Sequence, residues 1–418
     1  MSNTPAQAPE GRPLREVLPA LVALGVSIFI AITTELMPVG LLLLLAEDFG
    51  KSVAEVGIIV TVYATMVAVL SVPLTILTKR FERKTVLLAT LAAFTLSSIV
   101  VSVSPYFWLV AVGRALGGAA HALFFAVAIG YPARLLRPAD LGKGMAIVTS
   151  GVSLGFVLGV PAATALGVAF SWRVSFGIVA AVAVVLTLAV WRWLPSVPNV
   201  MSFGSAQTKV GTQETTSSGR AEKWNRSVPF ISVLVVNLAV FLAHYSAYTY
   251  INPLLEHAAV AKEYVSLVLL IFGGAGLIGL AVVGRFLDVR PRAALLVTLV
   301  VFIVGLVGFA LAINNLWLAL FFALLWTAAF GGAPPFFSTG GVRTAVVSPD
   351  MTGAWVNATS NIGISVGAII GGWVLAGAGL EFVPLLAAAL FAVTAVIVWF
   401  SRRGFPSSPI ATRVADIL

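Results

Sequence analysis

Residues 18–42 read LPALVALGVSIFIAITTELMPVGLL. Glu35 is the one charged side chain in these 25 residues. A helix rises about 1.5 Å per residue, and roughly 20 apolar residues cross the hydrocarbon layer of a bilayer. This stretch is long enough to span it with length left for tilt. It is also too long, and starts too late, for a signal peptide, and no convincing small-residue cleavage site accompanies it.

The rest of the chain repeats that signal. Eleven further apolar runs lie at roughly 53–77, 85–104, 107–131, 143–167, 172–194, 229–252, 264–285, 292–313, 316–340, 350–375 and 382–400. The 418 residues are 60% hydrophobic and 10% charged. Soluble domains are about 45–50% apolar and about 25% charged, so these few charges cannot coat soluble surfaces. With no Cys, a disulfide scaffold is excluded. An all-α membrane protein of twelve spans is expected.

Lys and Arg mark the cytoplasmic side of such a chain. With the N-terminus inside, 21 of the 25 basic residues fall on the inner side, among them Lys209, Arg402, Arg403 and Arg413. Three (Lys51, Arg173 and Lys262) fall outside, and Arg114 lies within a span. Both termini are therefore expected in the cytoplasm. The same sorting accounts for the net charge of +9, so nucleic acid is not an expected partner. Lipid is.

The longest break, 195–228, is rich in Pro, Gly, Ser and Thr and reads as a linker. The expected organisation is a cytoplasmic tail at 1–17, a six-helix bundle at 18–194, the linker at 195–228, a second bundle at 229–400 and a tail at 401–418. A shift near 209 residues brings Arg83 onto Arg292, Arg134 onto Arg343 and Glu35 onto His244. A shift of 208 brings Gly155 and Gly159 onto Gly363 and Gly367. Two pseudo-equivalent bundles with a solute site between them are a common transporter plan.

Ionisable groups inside spans are costly and point to a pathway or a partner. Glu35 and Arg114 each lie about five residues outward of their span centres, roughly 7–8 Å. An ion pair between them is geometrically possible, and Glu35 is either part of a static pair or a titrating group. A third reading places Glu35 at a loop edge, because Pro38 follows closely. His121 shares a helix face with Arg114 and reads as cavity-lining or as packing. Asn237, His244 and Tyr248 fall on one face of the seventh span. Asn357 and Asn361 are cofacial in the eleventh and read as solute contacts or as inter-helix bonds, and Trp326 in the tenth reads as lining the same space or as ordinary lipid or core packing. All are candidate cavity residues. Gly151, Gly155 and Gly159, with Pro161 following, and Gly363, Gly367 and Gly371 form small-residue faces for close helix approach. They are expected at the sliding surfaces between the halves.

No phosphate-binding loop is present, and three His without Cys make no closed zinc site. No enzyme, metal or cofactor is expected, and a gradient would supply the energy.

Several motifs resemble the major facilitator superfamily, and more narrowly its proton-coupled efflux permeases. The resemblance covers about residues 15–403. Thr33-Thr34-Glu35-Leu36-Met37-Pro38-Val39 is similar to the T-T-E-[F/L]-x-P-V run of sugar efflux and arabinose-efflux-like permeases. Arg80, Arg83 and Lys84 fit the inner-loop signature G-x-x-x-D-R-x-G-R-[R/K], in which Thr75, Lys79 and Glu82 replace Gly, Asp and Gly. Gly284 and Asp288 keep the Gly and Asp in the second-half copy. These residues are the expected inner-loop latch. Arg114-x-x-Gly117 and Gly118, and Gly151-x-x-x-Gly155-x-x-x-Gly159-Val160-Pro161, resemble antiporter segments, and Ala243-His244-Tyr245-x-Ala247-Tyr248-x-Tyr250-Ile251-x-Pro253 resembles the sugar efflux group. The resemblance implies alternating access by a monomer in a bacterial inner membrane. It would export a sugar, thiogalactoside or drug against inward protons, with Glu35 and Arg114 as coupling elements. A chloramphenicol-type drug antiporter is the nearest alternative, and a gradient-independent facilitator or a channel the more distant one.

Overall fold

The computed structural model describes residues 12–196 and 217–401, apart from 288, 345 and 348, together with 404–405. Asp288 of the expected latch lies outside the described residues. So do most of the expected linker (197–216), residues 1–11, 402–403 and 406–418 of the expected tails, and Lys209, Arg402, Arg403 and Arg413 of the charge sorting.

Among the described residues twelve helices are long and apolar enough to cross a membrane. They are α1 (Leu14–Phe49), α2 (Val53–Leu77), α3 (Arg83–Val103), α4 (Phe107–Gly130), α5 (Lys143–Ala169) and α6 (Trp172–Trp193). The second set is α7 (Ser227–Tyr248), α8 (Lys262–Phe286), α9 (Pro291–Leu311), α10 (Leu316–Arg343), α11 (Met351–Gly377) and α12 (Phe382–Phe400). All but one of the expected spans agree with these to within a few residues. Helix α1 runs on through Pro38 to Phe49, so Glu35 sits inside the helix and not at a loop edge. Helix also begins at Ser217, ahead of α7, where linker was expected.

The repeat is visible in the packing. In the first set α1 packs on α5 and α6, α4 on α2 and α3, and α3 on α6. Six helices later, α7 packs on α11 and α12, α10 on α8 and α9, and α9 on α12. Between the sets, α2 meets α11 and α5 meets α8, which are again repeat mates.

The glycine faces lie elsewhere than expected. A methyl at Gly155 would lie 2.7 Å from the Ile32 side chain, and one at Gly151 would strike the Gly25 carbonyl. At Gly363 and Gly367 it would lie 2.6 and 2.5 Å from the Leu238 and Leu242 carbonyls. These faces therefore close α5 onto α1 and α11 onto α7, within each set and not between the sets. Backbone contact over several turns suits a fixed joint. The α5–α8 seam runs along 155–169, and a methyl at Gly273 would meet the Val157 Cα at 2.6 Å. There α5 forms a π-turn, Gly155–Gly159. Pro161 supplies no N–H to the Val157 carbonyl, so an ordinary helical bond is missing at this point.

At the chain's start, the Leu14 N–H donates to the Asp140 carboxylate (3.2 Å), which also accepts from Arg137. Arg137 foremost, then the Leu14 N–H, holds the Asp140 carboxyl below its ordinary value. The tether is therefore complete at neutral pH and is lost only as acid protonates Asp140.

Ala substitution should separate tight from open glycines on one helix. A methyl at Gly353 meets nothing within 4 Å, so Gly353→Ala should hold or slightly raise the thermal midpoint in detergent. Gly367→Ala should lower it, by an overpacking cost of about 1–3 kcal/mol. Equal midpoints would show that the α7–α11 joint is not close-packed.

Candidate functional site

The site begins with Pro38. Proline has no N–H, so the Thr34 carbonyl, one turn back, loses its helical donor. Arg114 of α4 fills the gap. Its Nη1 donates to the Thr34 carbonyl (2.5 Å), its Nη2 to the Glu35 carbonyl (2.9 Å) and its Nε to the Ile59 carbonyl on α2 (3.4 Å). The guanidinium also lies over the Tyr63 ring, 4.0 Å from its centre. Arg114 is 1% exposed. A buried cation is tolerable only when its donors are used, and here three carbonyl dipoles and an aromatic face surround it.

The expected Glu35–Arg114 ion pair is not made, because the guanidinium is occupied by backbone. The Glu35 carboxylate faces His121 instead, with Oε2 3.8 Å from Nε2. The other ring nitrogen, Nδ1, is 3.1 Å from the Tyr63 hydroxyl. His121 is 1% exposed and Glu35 8%. Two proton arrangements fit this geometry. With Glu35 ionised, Nε2 carries the hydrogen towards the carboxylate and Nδ1 accepts from Tyr63. With Glu35 protonated, its O–H faces the Nε2 lone pair, and Nδ1–H donates to Tyr63. At 3.8 Å Glu35 and His121 are near each other but not hydrogen-bonded, and either tautomer of His121 fits its bond with Tyr63.

The second half places His244 beside Trp326. The indole N–H can only donate, so His244 Nδ1 is the acceptor (3.1 Å) and neutral Nε2 carries the hydrogen. The imidazole stacks on Phe330, with centroids 3.5 Å apart and planes 3° apart, and on Tyr248 at 4.8 Å. Nε2 is buried without a protein partner. His244, Tyr248 and Phe330 line an open cavity between α5, α7, α8 and α10. Trp326 itself is fully buried behind them.

The amides divide. Asn237 was expected at the cavity, but it is fully buried and its NH₂ is committed to the Val356 carbonyl and to the Thr359 and Ser360 hydroxyls of α11 (2.9, 2.8 and 3.0 Å). It is a helix-to-helix contact, because an amide at that depth must be paired locally. Asn357 reaches across the halves to the Ser71 hydroxyl (3.4 Å), and Asn361 donates to the Asn357 carbonyl oxygens (3.1 and 3.3 Å). Asn361 Oδ1 is left buried without a partner. Outward along the same seam, the Thr65 and Ser365 hydroxyls bond at 2.7 Å. At the outer end, Asn252 donates to the Gly40 carbonyl (2.9 Å).

Arg80 lies exposed in the turn after α2, and Arg83 and Lys84 open α3. Nothing lies within 4 Å of a methyl built at Gly284, so packing does not demand glycine there. Sequence reasoning missed Tyr63, whose one signal is a lone phenol midway along an apolar span. Among the described residues no group of three or more His, Cys, Asp or Glu could hold a metal ion.

Residues 23–353 match the Major Facilitator Superfamily, and the chain belongs to that family. It is a multi-pass membrane protein. Its fold is similar to that of a bacterial homolog of the human lysosomal transporter Spinster, solved inward-facing and unoccupied (TM-score 0.69, 16% identity, 92% of this chain and 97% of that one). It is also similar to a D-xylose-proton symporter (TM-score 0.70, 15% identity, 94% of this chain and 98% of that one).

Stability should distinguish the carbonyl fork from an ion pair. Lys cannot donate to three carbonyls in Arg's planar fork. Arg114→Lys should therefore cost about 1–3 kcal/mol and lower the thermal midpoint in detergent, whereas Glu35→Gln should leave it nearly unchanged. Equal losses would indicate a direct Glu35–Arg114 pair.

Proposed function

We propose that the chain is a secondary active transporter that exports a small sugar-like or drug-like solute in exchange for protons. It works by alternating access in a bacterial inner membrane, as a monomer. The observation that carries this reading is a carboxylate within the membrane, paired with no cation and facing a histidine whose other nitrogen meets a buried phenol. Such a carboxylate can gain and lose a proton without breaking a structural ion pair. Arg114 keeps the helix backbone around Glu35 in place and biases it electrostatically.

In this reading the bundles at 18–194 and 229–400 rock against each other at the α2–α11 and α5–α8 seams. Solute enters from the cytoplasm. Arrival of a proton on Glu35 from outside neutralises the carboxylate that faces His121 and favours the return of the empty carrier. Arg80, Arg83, Lys84, Gly284 and Asp288 would latch the inner loops in one state. The resemblance of the Thr33–Val39 and Ala243–Pro253 runs to sugar efflux permeases supports export and a sugar or thiogalactoside as solute.

Inverted vesicles under an imposed pH gradient test the coupling, with arabinose, lactose, a thiogalactoside and chloramphenicol as solutes. Glu35→Gln should abolish pH-driven accumulation while solute counterflow at equal pH persists. Accumulation at the normal rate in that variant would remove Glu35 from the coupling step. Accumulation by the unaltered protein that ignores the gradient would indicate a facilitator.

A further inference from the structure

Polar side chains of the two halves meet across the α2–α11 seam at two levels. Thr65 bonds Ser365 at 2.7 Å, and the Asn357 amide donates to the Ser71 hydroxyl at 3.4 Å. Numbers rise along α2 as they fall along α11 in these pairs, so the helices run antiparallel. Side chains four apart share a helix face. Thr75 therefore lies one turn inward of Ser71 on α2, and Asn361 lies one turn outward of Asn357 on α11.

Ser71 and Thr75 are prepared alike. Each hydroxyl donates at 2.6 Å to the carbonyl four residues back, Val67 for Ser71 and Ser71 for Thr75. Each keeps lone pairs that can accept an amide N–H, and among the described residues only Ser71 receives one. Asn361 has the converse gap. Its NH₂ is used on the Asn357 oxygens, but its Oδ1 is buried without a partner in a residue 2% exposed. The observed register thus leaves an acceptor unused on α2 and an acceptor unpaired on α11, and the second is costly at that depth.

A slide of one helical turn, about 5.4 Å, answers both. Moving α11 inward past α2 by four residues sets Asn357 against Thr75 and Asn361 against Ser71. Asn357 then donates to a hydroxyl held in the same way as before. The Ser71 hydroxyl turns to donate to Asn361 Oδ1, while the Val67 carbonyl keeps the Ser71 N–H of the helix ladder. Thr65 and Ser365 part, and each hydroxyl falls back on the carbonyl four residues earlier in its own helix. Two bonds across the seam replace two, and the unpaired acceptor is filled. The opposite slide sets Asn357 against Val67, which is fully buried and apolar, and the amide loses its partner.

We propose that α2 and α11 form a polar zipper with two registers, the observed one and one a turn further inward, and that Thr75 and Asn361 are positioning residues for the second. Packed helices that switch do so between discrete arrangements, one-turn ratchets among them. Two registers with equal numbers of bonds keep both states of a carrier populated. The proposal deepens the alternating-access reading and rests on it for the side that the cavity faces in each register.

The chain has no cysteine, so paired substitutions report the register in the full chain in membrane vesicles. A protease site placed within 197–216 makes a cross-link between the halves visible as fragments that stay joined. Ser71→Cys with Asn357→Cys reports the observed register, and Ser71→Cys with Asn361→Cys the second. Val67→Cys with Asn357→Cys reports the opposite slide. Under copper phenanthroline the first two pairs should cross-link, and the third at least about tenfold more slowly. Adding Thr75→Val to the Ser71–Asn361 pair removes the acceptor that the second register needs. It should slow that cross-link by about threefold to tenfold at an unchanged thermal midpoint, and Thr75→Ser should restore the rate. Absence of the Ser71–Asn361 cross-link, an equally fast Val67–Asn357 cross-link, or a rate indifferent to Thr75→Val would overturn the proposal. A further Ser153→Cys, in the cavity lining, tests the underlying reading with a membrane-impermeant thiol reagent. It should label from opposite sides of the membrane in the two cross-linked forms. Labelling from one side in both would remove alternating access and leave the two registers standing.

Discussion

The arrangement depends on a carbonyl that a proline sets free. Pro38 removes the helical donor of Thr34, and a bare carbonyl at membrane depth costs several kcal/mol unless it is satisfied. Arg114 satisfies it and reaches two further carbonyls. The cation needs dipoles and the helix needs a donor, so each offsets the other's desolvation. Because the guanidinium is held by backbone, the neighbouring carboxylate stays free of it. A direct ion pair would have held Glu35 ionised and tied it to α4. The carbonyl fork instead leaves Glu35 facing His121, with the Arg114 charge near enough to influence it.

The same constraint explains why the halves differ while their packing repeats. Ala323 stands where the repeat would place a second arginine, and no proline follows His244 within one turn. Without a freed carbonyl there is nothing to hold a buried cation. Without the cation, a carboxylate at position 244 would stand alone among rings. The second half therefore takes the uncharged solution, in which stacked rings fill the volume and one neutral imidazole is oriented by an indole N–H. Charge chemistry and apolar contact are segregated by half.

Much of this was legible in the residues, and the remainder fails for physical reasons. Twelve spans follow from run length, and Glu35, Arg114 and His121 stand out because polar side chains are rare and costly at that depth. Their pairing was not legible. Charge signs suggested Glu35 with Arg114, whereas backbone carbonyls, invisible in a residue list, outcompeted the carboxylate. Pro38 was the clue, but it reads equally well as the end of a span. Tyr63 escaped because tyrosine in a span is ordinary and its role comes from neighbours on two other helices. Asn237 was misplaced because helical spacing tells which residues share a face but not what covers that face. The glycine faces were recognised as close-packing surfaces, yet spacing alone could not say whether the partner helix lay in the same half or the other.

That last distinction bears on how the molecule can move. Glycine-mediated backbone contact extends over several turns of α1–α5 and α7–α11, and many small contacts must be lost together to separate such helices. The seams are built otherwise. The described hydrogen bonds between the halves include Thr65–Ser365 and Asn357–Ser71 at the α2–α11 seam and Asn252–Gly40 at α1, each worth only about 0.5–1.5 kcal/mol net. Hydroxyls and amides can exchange one partner for another as helices slide, at little net cost. The α5–α8 crossing touches backbone to backbone at Gly273 and Val157, beside a π-turn that already lacks regular helical bonding. Rigid joints within each half and exchangeable contacts between halves favour rocking over internal deformation. The aromatic cavity lies at the α5–α8 crossing and so changes shape with that motion. The Glu35 network is built from α1, α2 and α4 of the first half and can keep its geometry through it.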